Sequence, residues 1–382
     1  MTTAWVGKLR VPVDPVIPCR FADLKAASSA LTAWLATAAL PLWATSGRDE
    51  AGGFREALTV EGVAFDLRRR VRVQARQAYV FARAAEAGLP GPWRAVARDG
   101  LERLLREGRR DDGLFVHTLT PTGEVANAQA HLYEQAFVLL AMSAQPALGA
   151  GPAAAIRQAL ESFRHRAGGF REAGASPFQA NALMHLFEAA LAWEAVGGEV
   201  AAWANLADEL AELALARLID PAAGALHEHF DAAWRPLGGA ADAVEPGHQF
   251  EWAWLLADWG DLRGDPRGRR AAERLYQAGL RGVDASRGVV VDSLWDDLAI
   301  REASARLWPQ TEYLKAALRL GRADDALQAA LALARFLDTP VRGLWRERMR
   351  PDGGFLDEPA PATSLYHLAG AILALRHTVD PG

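Results

Sequence analysis

His248 and Glu251 lie three residues apart and Asn181 and His185 four apart, so on a helix each pair shares one face. Histidine is both acid and base near neutral pH, and a carboxylate beside it orients the ring or stabilises its charge. These pairs belong to a longer series of polar or aromatic clusters set in apolar sequence: Arg72-Val73-Gln74-Ala75-Arg76-Gln77, His131-Leu132-Tyr133-Glu134-Gln135, Asn181-Ala182-Leu183-Met184-His185, Gly247-His248-Gln249-Phe250-Glu251-Trp252, Trp308-Pro309-Gln310-Thr311-Glu312 and Tyr366-His367. A lone polar residue on an apolar helix is usually a satisfied core group. Six clusters in phase argue instead for one shared pocket lined by aromatic and convergent polar groups.

Other chemistries find less support. No Gly-rich phosphate cradle, dinucleotide fingerprint or Ser elbow is present. His227-Glu228-His229 offers two imidazoles on an extended segment, but no second ligand cluster stands at a fixed spacing, so no metal is expected. Glu172, Glu228, Glu251 and Glu312 could include a hydrolase pair, which needs two carboxylates flanking a glycosidic bond. The run Arg68-Arg69-Arg70-Val71-Arg72 reads as a solvated face, with an anionic-sugar clamp as the alternative.

The elements that must position the clusters follow from a second recurrence. A glycine turn followed by an apolar residue occurs six times: Ala51-Gly52-Gly53-Phe54, Asp112-Gly113-Leu114-Phe115, Ala167-Gly168-Gly169-Phe170, Ala223-Gly224-Ala225-Leu226, Arg287-Gly288-Val289-Val290 and Asp352-Gly353-Gly354-Phe355. The period is roughly 60 residues, as in repeated supersecondary units. Each interval carries about two stretches of helix patterning, for example Ala130 to Ala144 and Ala153 to Arg164, then Pro177 to Val196 and Val200 to Leu218. Strand-like sequence is confined to the turns, most clearly at Val289-Val290-Val291. Six helix pairs predict an all-α fold, an (α/α)6 barrel of twelve helices with short hairpin loops, formed as a single domain over residues 1–382; an open helical solenoid is the alternative.

Composition sets the wider limits. The chain of 382 residues is 51% apolar and 23% charged, enough for a large core. Its net charge of −5 gives no basic footprint for phosphate backbones or anionic lipid, so neither nucleic acid nor membrane is an expected partner. No apolar stretch is long enough to cross a bilayer, and Met1 to Arg10 lacks the apolar run of a secretory signal. The single cysteine, Cys19, cannot form an internal disulfide, and a cytoplasmic setting fits. The thirteen tryptophans suit both core volume and sugar stacking; Trp252 and Trp308 lie within the clusters, whereas Trp254 and Trp259 read as packing.

At the clusters the sequence resembles the N-acylglucosamine 2-epimerase family, which includes aldose-ketose isomerases and cellobiose 2-epimerases. The resemblance spans nearly the whole chain and rests on Val73-Gln74-Ala75-Arg76-Gln77, Tyr133-Glu134-Gln135-Ala136-Phe137, Asn181 to His185, Glu245 to Trp252, Trp308 to Glu312 and Tyr366-His367. It departs at Arg72, often aromatic in the family, and in Ala362 to Leu365, less proline-rich than usual. The resemblance implies proton transfer at C2 of a sugar without metal or cofactor. It casts His248 and His367 as the acid-base pair, Arg76 as the group near the substrate oxygens, and Tyr133, Asn181, His185, Glu251, Trp308 and Glu312 as binding or supporting residues. His367 is then the expected base and His248 the group that assists ring opening or shuttles a hydroxyl proton. The context Gln74-Ala75-Arg76-Gln77 is most similar to bacterial mannose isomerases, so the expected reaction is D-mannose to D-fructose through a cis-enediolate. A 2-epimerase is the alternative, and a glycoside hydrolase on the same barrel a remote one. The expected partner is a small neutral monosaccharide, and the expected assembly a monomer or homodimer.

Overall fold

The computed structural model describes residues 20–65, 67–239 and 242–380. The expectations for Met1 to Arg10 and for Cys19 fall outside the described residues. No helix is long and apolar enough to cross a membrane among those described.

The helices are α1 (Leu24–Trp34), α2 (Leu40–Thr45), α3 (Val71–Glu86), α4 (Trp93–Glu107), α5 (Leu132–Ser143), α6 (Pro146–Ala159), α7 (Ala180–Val196), α8 (Val200–Leu213), α9 (Pro246–Arg263), α10 (Pro266–Leu280), α11 (Leu307–Arg319), α12 (Ala323–Phe336) and α13 (Ser364–Val379). A π-helical stretch, Leu35–Ala39, joins α1 to α2 as one rod, so the described residues form twelve helical rods. Asp23 starts the first rod, its Oδ1 accepting from Ala26 N at 2.8 Å.

The rods form two rings. α3 packs on α5, α5 on α7, α7 on α9, α9 on α11, α11 on α13, and α13 back on α3. This closure establishes the (α/α)6 barrel and excludes the open solenoid. Each inner helix carries an outer partner, as in α3 with α4 and α9 with α10, while α1 lies against α13 and α12. Burial distinguishes the rings: α5 is buried at every position except Tyr133, whereas α10 buries one stripe, including Gly268, Ala271, Ala272, Leu275 and Tyr276. Where α9 meets α10 the backbones nearly touch. A Cβ on Gly268 would stand 2.5 Å from Leu256 O, so only glycine fits.

The expected helix bounds shift in places. α6 begins at Pro146, a favoured first-turn proline, and gives way to a 3-10 turn over Leu160–Phe163 rather than running to Arg164. α7 starts at Ala180 because Gln179 pairs with His229 as extended backbone. α8 ends at Leu213 and continues as a π-helical stretch over Ala214–Leu218.

The six glycine turns close short antiparallel pairings, including Arg48 with Phe54, Arg109 with Phe115, Arg164 with Phe170, Ile219 with Leu226, and Met349 with Phe355; Val289–Val290 pairs with Val283–Asp284. Four inner helices then grip the apolar residue of their own turn. The Gln74 side chain accepts from Phe54 N and donates to Phe54 O, at 3.0 and 2.8 Å. Gln135 does the same to Phe115, Gln249 to Leu226 and Gln310 to Val290. These glutamines therefore clamp the loops and do not face the pocket, which corrects the reading of whole clusters as pocket lining. Gln310→Leu strands the buried Val290 amide and carbonyl and is expected to cost about 2–6 kcal/mol, at roughly 1–3 per unpaired group, read as a lower denaturant midpoint.

Candidate active site

Five inner helices lead directly into their outer partners in the same sense, and α13 enters the ring from α12 in the same way as the others enter from the preceding outer helix, so the inner first turns meet at one end of the ring. There they enclose a cavity of about 240 Å³. Eight of the nine expected residues line it: Arg76, Tyr133, Asn181, His185, His248, Glu251, Trp308 and His367. The ninth, Glu312, is fully buried directly behind His367.

Loop carboxylates set the helix starts. Glu172 accepts from Leu132 N and Tyr133 N at 2.8 and 2.9 Å, capping α5, so it is no hydrolase carboxylate. Glu56 accepts from Arg70 N at α3, and Asp292 from Arg306 N at α11. Only Arg68 of the arginine run is exposed: Arg69 is buried on Asp49, Arg70 pairs with Glu56, and Arg72, at the cavity, pairs with Glu134.

Trp308 lies between the two catalytic candidates, its ring centroid 4.8 Å from His248 and 5.7 Å from His367. Each imidazole turns Nδ1 to a buried carboxylate, His248 to Glu228 Oε2 and His367 to Glu312 Oε1, both at 2.8 Å. Nε2 is left as the working nitrogen of each ring. Their charge states diverge. Burial opposes the His248 imidazolium, but Glu228 and Glu245 overcome it and raise its pKa to about 9. At His367 burial prevails over Glu312, and Arg76 and Lys315 add repulsion, lowering it to about 4. Burial likewise lowers His185 to about 4 against the pull of Glu188, 3.2 Å away.

Arg76 is 4% exposed and makes no ion pair with a carboxylate among the described residues. Its guanidinium donates to Thr363 Oγ1 and, at 2.9 Å, to the Tyr133 hydroxyl, and lies 3.8 Å from the Phe137 ring centroid. By contrast Arg70, Arg72 and Arg306, the other cavity arginines, each hold a carboxylate. Burial pushes the Glu251 carboxyl well above its usual range, with Glu312 adding to the rise, and pushes Glu347 up to about 8. Glu251, the Asn181 carbonyl oxygen and Arg76 Nε make no hydrogen bond among the described residues. Such buried unsatisfied groups are what a polyhydroxylated ligand would satisfy.

The structure also relocates several assignments. The hydrogen bond to His248 comes from Glu228 and not from Glu251, whose Oε1 lies 3.8 Å from His185 Nδ1. Trp252 is fully buried and stacked on Phe187, and it does not line the cavity. Trp254 is more than packing, since its indole donates to Glu312 Oε2 at 3.0 Å. His227 and His229 both turn to Asp242. Three other groups bring ligand-type atoms within 4.8 Å of one another: His117, His131 and Glu134; His185, Glu188 and Glu251; Glu251, Glu312 and His367. A cation already sits on one carboxylate of the first and the third, Arg72 on Glu134 and Lys315 on Glu312. Sequence reasoning missed Glu188, Glu245, Arg306, Thr363, Ser364 and Glu347 around the cavity; Glu188 and Glu245 stand three residues from His185 and His248, a helix spacing that could have found them, whereas Glu347 lies on a connecting segment with no helix period to the clusters.

Residues 52–371 match the model of the N-acylglucosamine 2-epimerase family. A protein of Rhizobium meliloti (strain 1021) named mannose-6-phosphate isomerase is 43% identical over 377 residues, 92% of this chain and 97% of the relative. A D-mannose isomerase crystal structure aligns with TM-score 0.78 at 21% identity over 92% of this chain and 96% of the other. The cellobiose 2-epimerase of Bacillus thermoamylovorans B4167 aligns with TM-score 0.82 at 17% identity, over 92% and 98%. With its closed double ring and its six-cluster cavity, the chain belongs to the N-acylglucosamine 2-epimerase family and is a sugar isomerase or epimerase.

Proposed function

We propose that the protein isomerises an unphosphorylated hexose, D-mannose to D-fructose, through a cis-enediolate. The observation that carries this reading is the divergence of the two histidines across Trp308, His248 held charged and His367 held neutral. Paired groups driven apart in pKa are the signature of an acid and a base. In the open-chain aldose, His367 Nε2 removes the proton from C2, and the electron pair forms the C1–C2 double bond of the enediolate. His248 protonates O1, and Arg76 stabilises the charge on the enediolate oxygens. The O2 proton passes to His248, the C2 carbonyl forms, and His367 returns its proton to C1. No net proton is gained or lost. The inner-helix N-termini add positive potential at the oxygens, which favours the anionic intermediate. Tyr133, Asn181, His185, Glu251 and Trp308 hold the hydroxyls and ring face, and Glu312 orients His367.

A phosphorylated substrate is the second reading, favoured by the name of the Rhizobium relative. Against it, the arginines at the cavity other than Arg76 are already neutralised by Glu56, Glu134, Asp292 and Glu245. Incubation in heavy water with mannose, mannose 6-phosphate, N-acetylglucosamine or cellobiose tests both readings. The expected result is fructose from mannose, carrying solvent label at C1 in proportion to exchange of the His367 proton before its return. Label at C2 of an epimer, or turnover of the phosphosugar alone, overturns the proposal.

The proposed roles also predict the pH profile. A base must be neutral, so kcat/KM rises as pH climbs through about 4. An acid must be protonated, so it falls as pH climbs through about 9. The expected profile is flat across neutrality, and a single ascending limb near the ordinary histidine value would contradict it.

A further inference from the structure

Only three of the 42 basic residues are lysine, namely Lys8, Lys25 and Lys315. Lys315 stands on the inner ring, its side chain 12% exposed. It faces away from the sugar cavity, into a second cavity of about 270 Å³ farther along the barrel, which is also lined by Tyr79, Arg83, Glu188, Trp254, Tyr366 and His377. Tyr79, Glu188, Trp254 and Lys315 are each the ninth residue of an inner helix, so they form one layer across the ring, two turns below its first turns.

Glu312 bridges the two cavities. Its Oε1 accepts from His367 Nδ1, and its Oε2 accepts from Lys315 Nζ and Trp254 Nε1, both at 3.0 Å. The ammonium also lies 3.9 Å from the Trp254 ring centroid. A compact ammonium fits between an indole face and a buried carboxylate, where a planar guanidinium would need a wider site.

We propose that Lys315 is a positioning residue of the acid-base machinery: from the second cavity its ammonium keeps Glu312 a carboxylate, and through Glu312 it fixes the tautomer and basicity of His367. The inference rests on the role proposed above for His367. Burial alone would push Glu312 up; Lys315 is the strongest influence holding it below its usual range, and it also repels a proton on His367. The other groups facing His367 are Arg76 from α3, His185 from α7, Glu251 from α9, Glu312 from α11 and Tyr366 beside it on α13. Of these only Arg76 is a fixed cation, and it lies on the sugar side.

Two variants test this in the intact chain. Lys315→Gln keeps a donor to Glu312 but removes the charge; Glu312 then takes up a proton and no longer supports charge on His367, so kcat is expected to fall ~10- to 100-fold with less change in KM, and the acid limb of kcat/KM to move down by about one pH unit. Lys315→Ala is expected to recover part of its activity with ethylammonium, which can enter through the second cavity, and none with potassium at equal ionic strength. NMR titration of the His367 ring, wild type against Lys315→Gln, reads the same shift without turnover. It therefore tests the inference even if no hexose is isomerised and the catalytic reading fails. An unmoved acid limb and ring titration, or a Lys315→Gln chain that does not fold, assigns the lysine to packing and overturns the proposal.

Discussion

His367→Ala is expected to lower kcat for hexose isomerisation by ~10³- to 10⁴-fold, the upper range for loss of a positioned general base. The ring is 6% exposed, turns Nδ1 to Glu312 and presents Nε2 to the cavity. No neighbour can replace it: His185 is engaged by Glu188, and His248 is held charged by Glu228 and Glu245. Washout of the C2 proton into heavy water should fall in parallel with product formation, because both need the same abstraction. Thermal unfolding of the variant separates catalysis from folding. A folded His367→Ala retaining a tenth of wild-type turnover would exclude His367 as the base and favour a carboxylate mechanism.

The second large effect is at Arg76. Arg76→Met keeps the apolar contacts with Phe137 and Tyr366 but removes the guanidinium, the one cavity arginine without a carboxylate among the described residues. Loss of a preorganised oxyanion donor typically costs ~10²- to 10³-fold in kcat. Charge on the sugar oxygens develops only at the enediolate, so the loss should fall on kcat with KM nearly unchanged. Steady-state kinetics on mannose measure the split. A raised KM with kcat intact would make Arg76 a ground-state binding group instead.

Much of the fold was legible because its signals are local. Helical periodicity, first-turn proline and glycine turns each act within a few residues, and their recurrence six times implied a closed ring. The cavity was legible for the same reason: Asn181 with His185 and His248 with Glu251 share helix faces whatever surrounds them. The misread residues are those whose meaning depends on rotation about the axis. Gln74 and Arg76, two positions apart, point about 200° apart on a helix. One clamps Phe54 and the other enters the cavity. Trp252 falls on the α7 contact, against Phe187, and not on the sugar face.

The sequence by itself determined the number of repeats, the inner helices and the set of residues gathered at their first turns, since these follow from spacing along one chain segment. The tertiary structure alone decided which carboxylate serves which histidine. Glu228 reaches His248 across 20 residues, and Glu312 reaches His367 across 55. Neither separation is a helix period. The opposite displacement of the two imidazoles depends on these partners and on burial, and both exist only once the ring has closed.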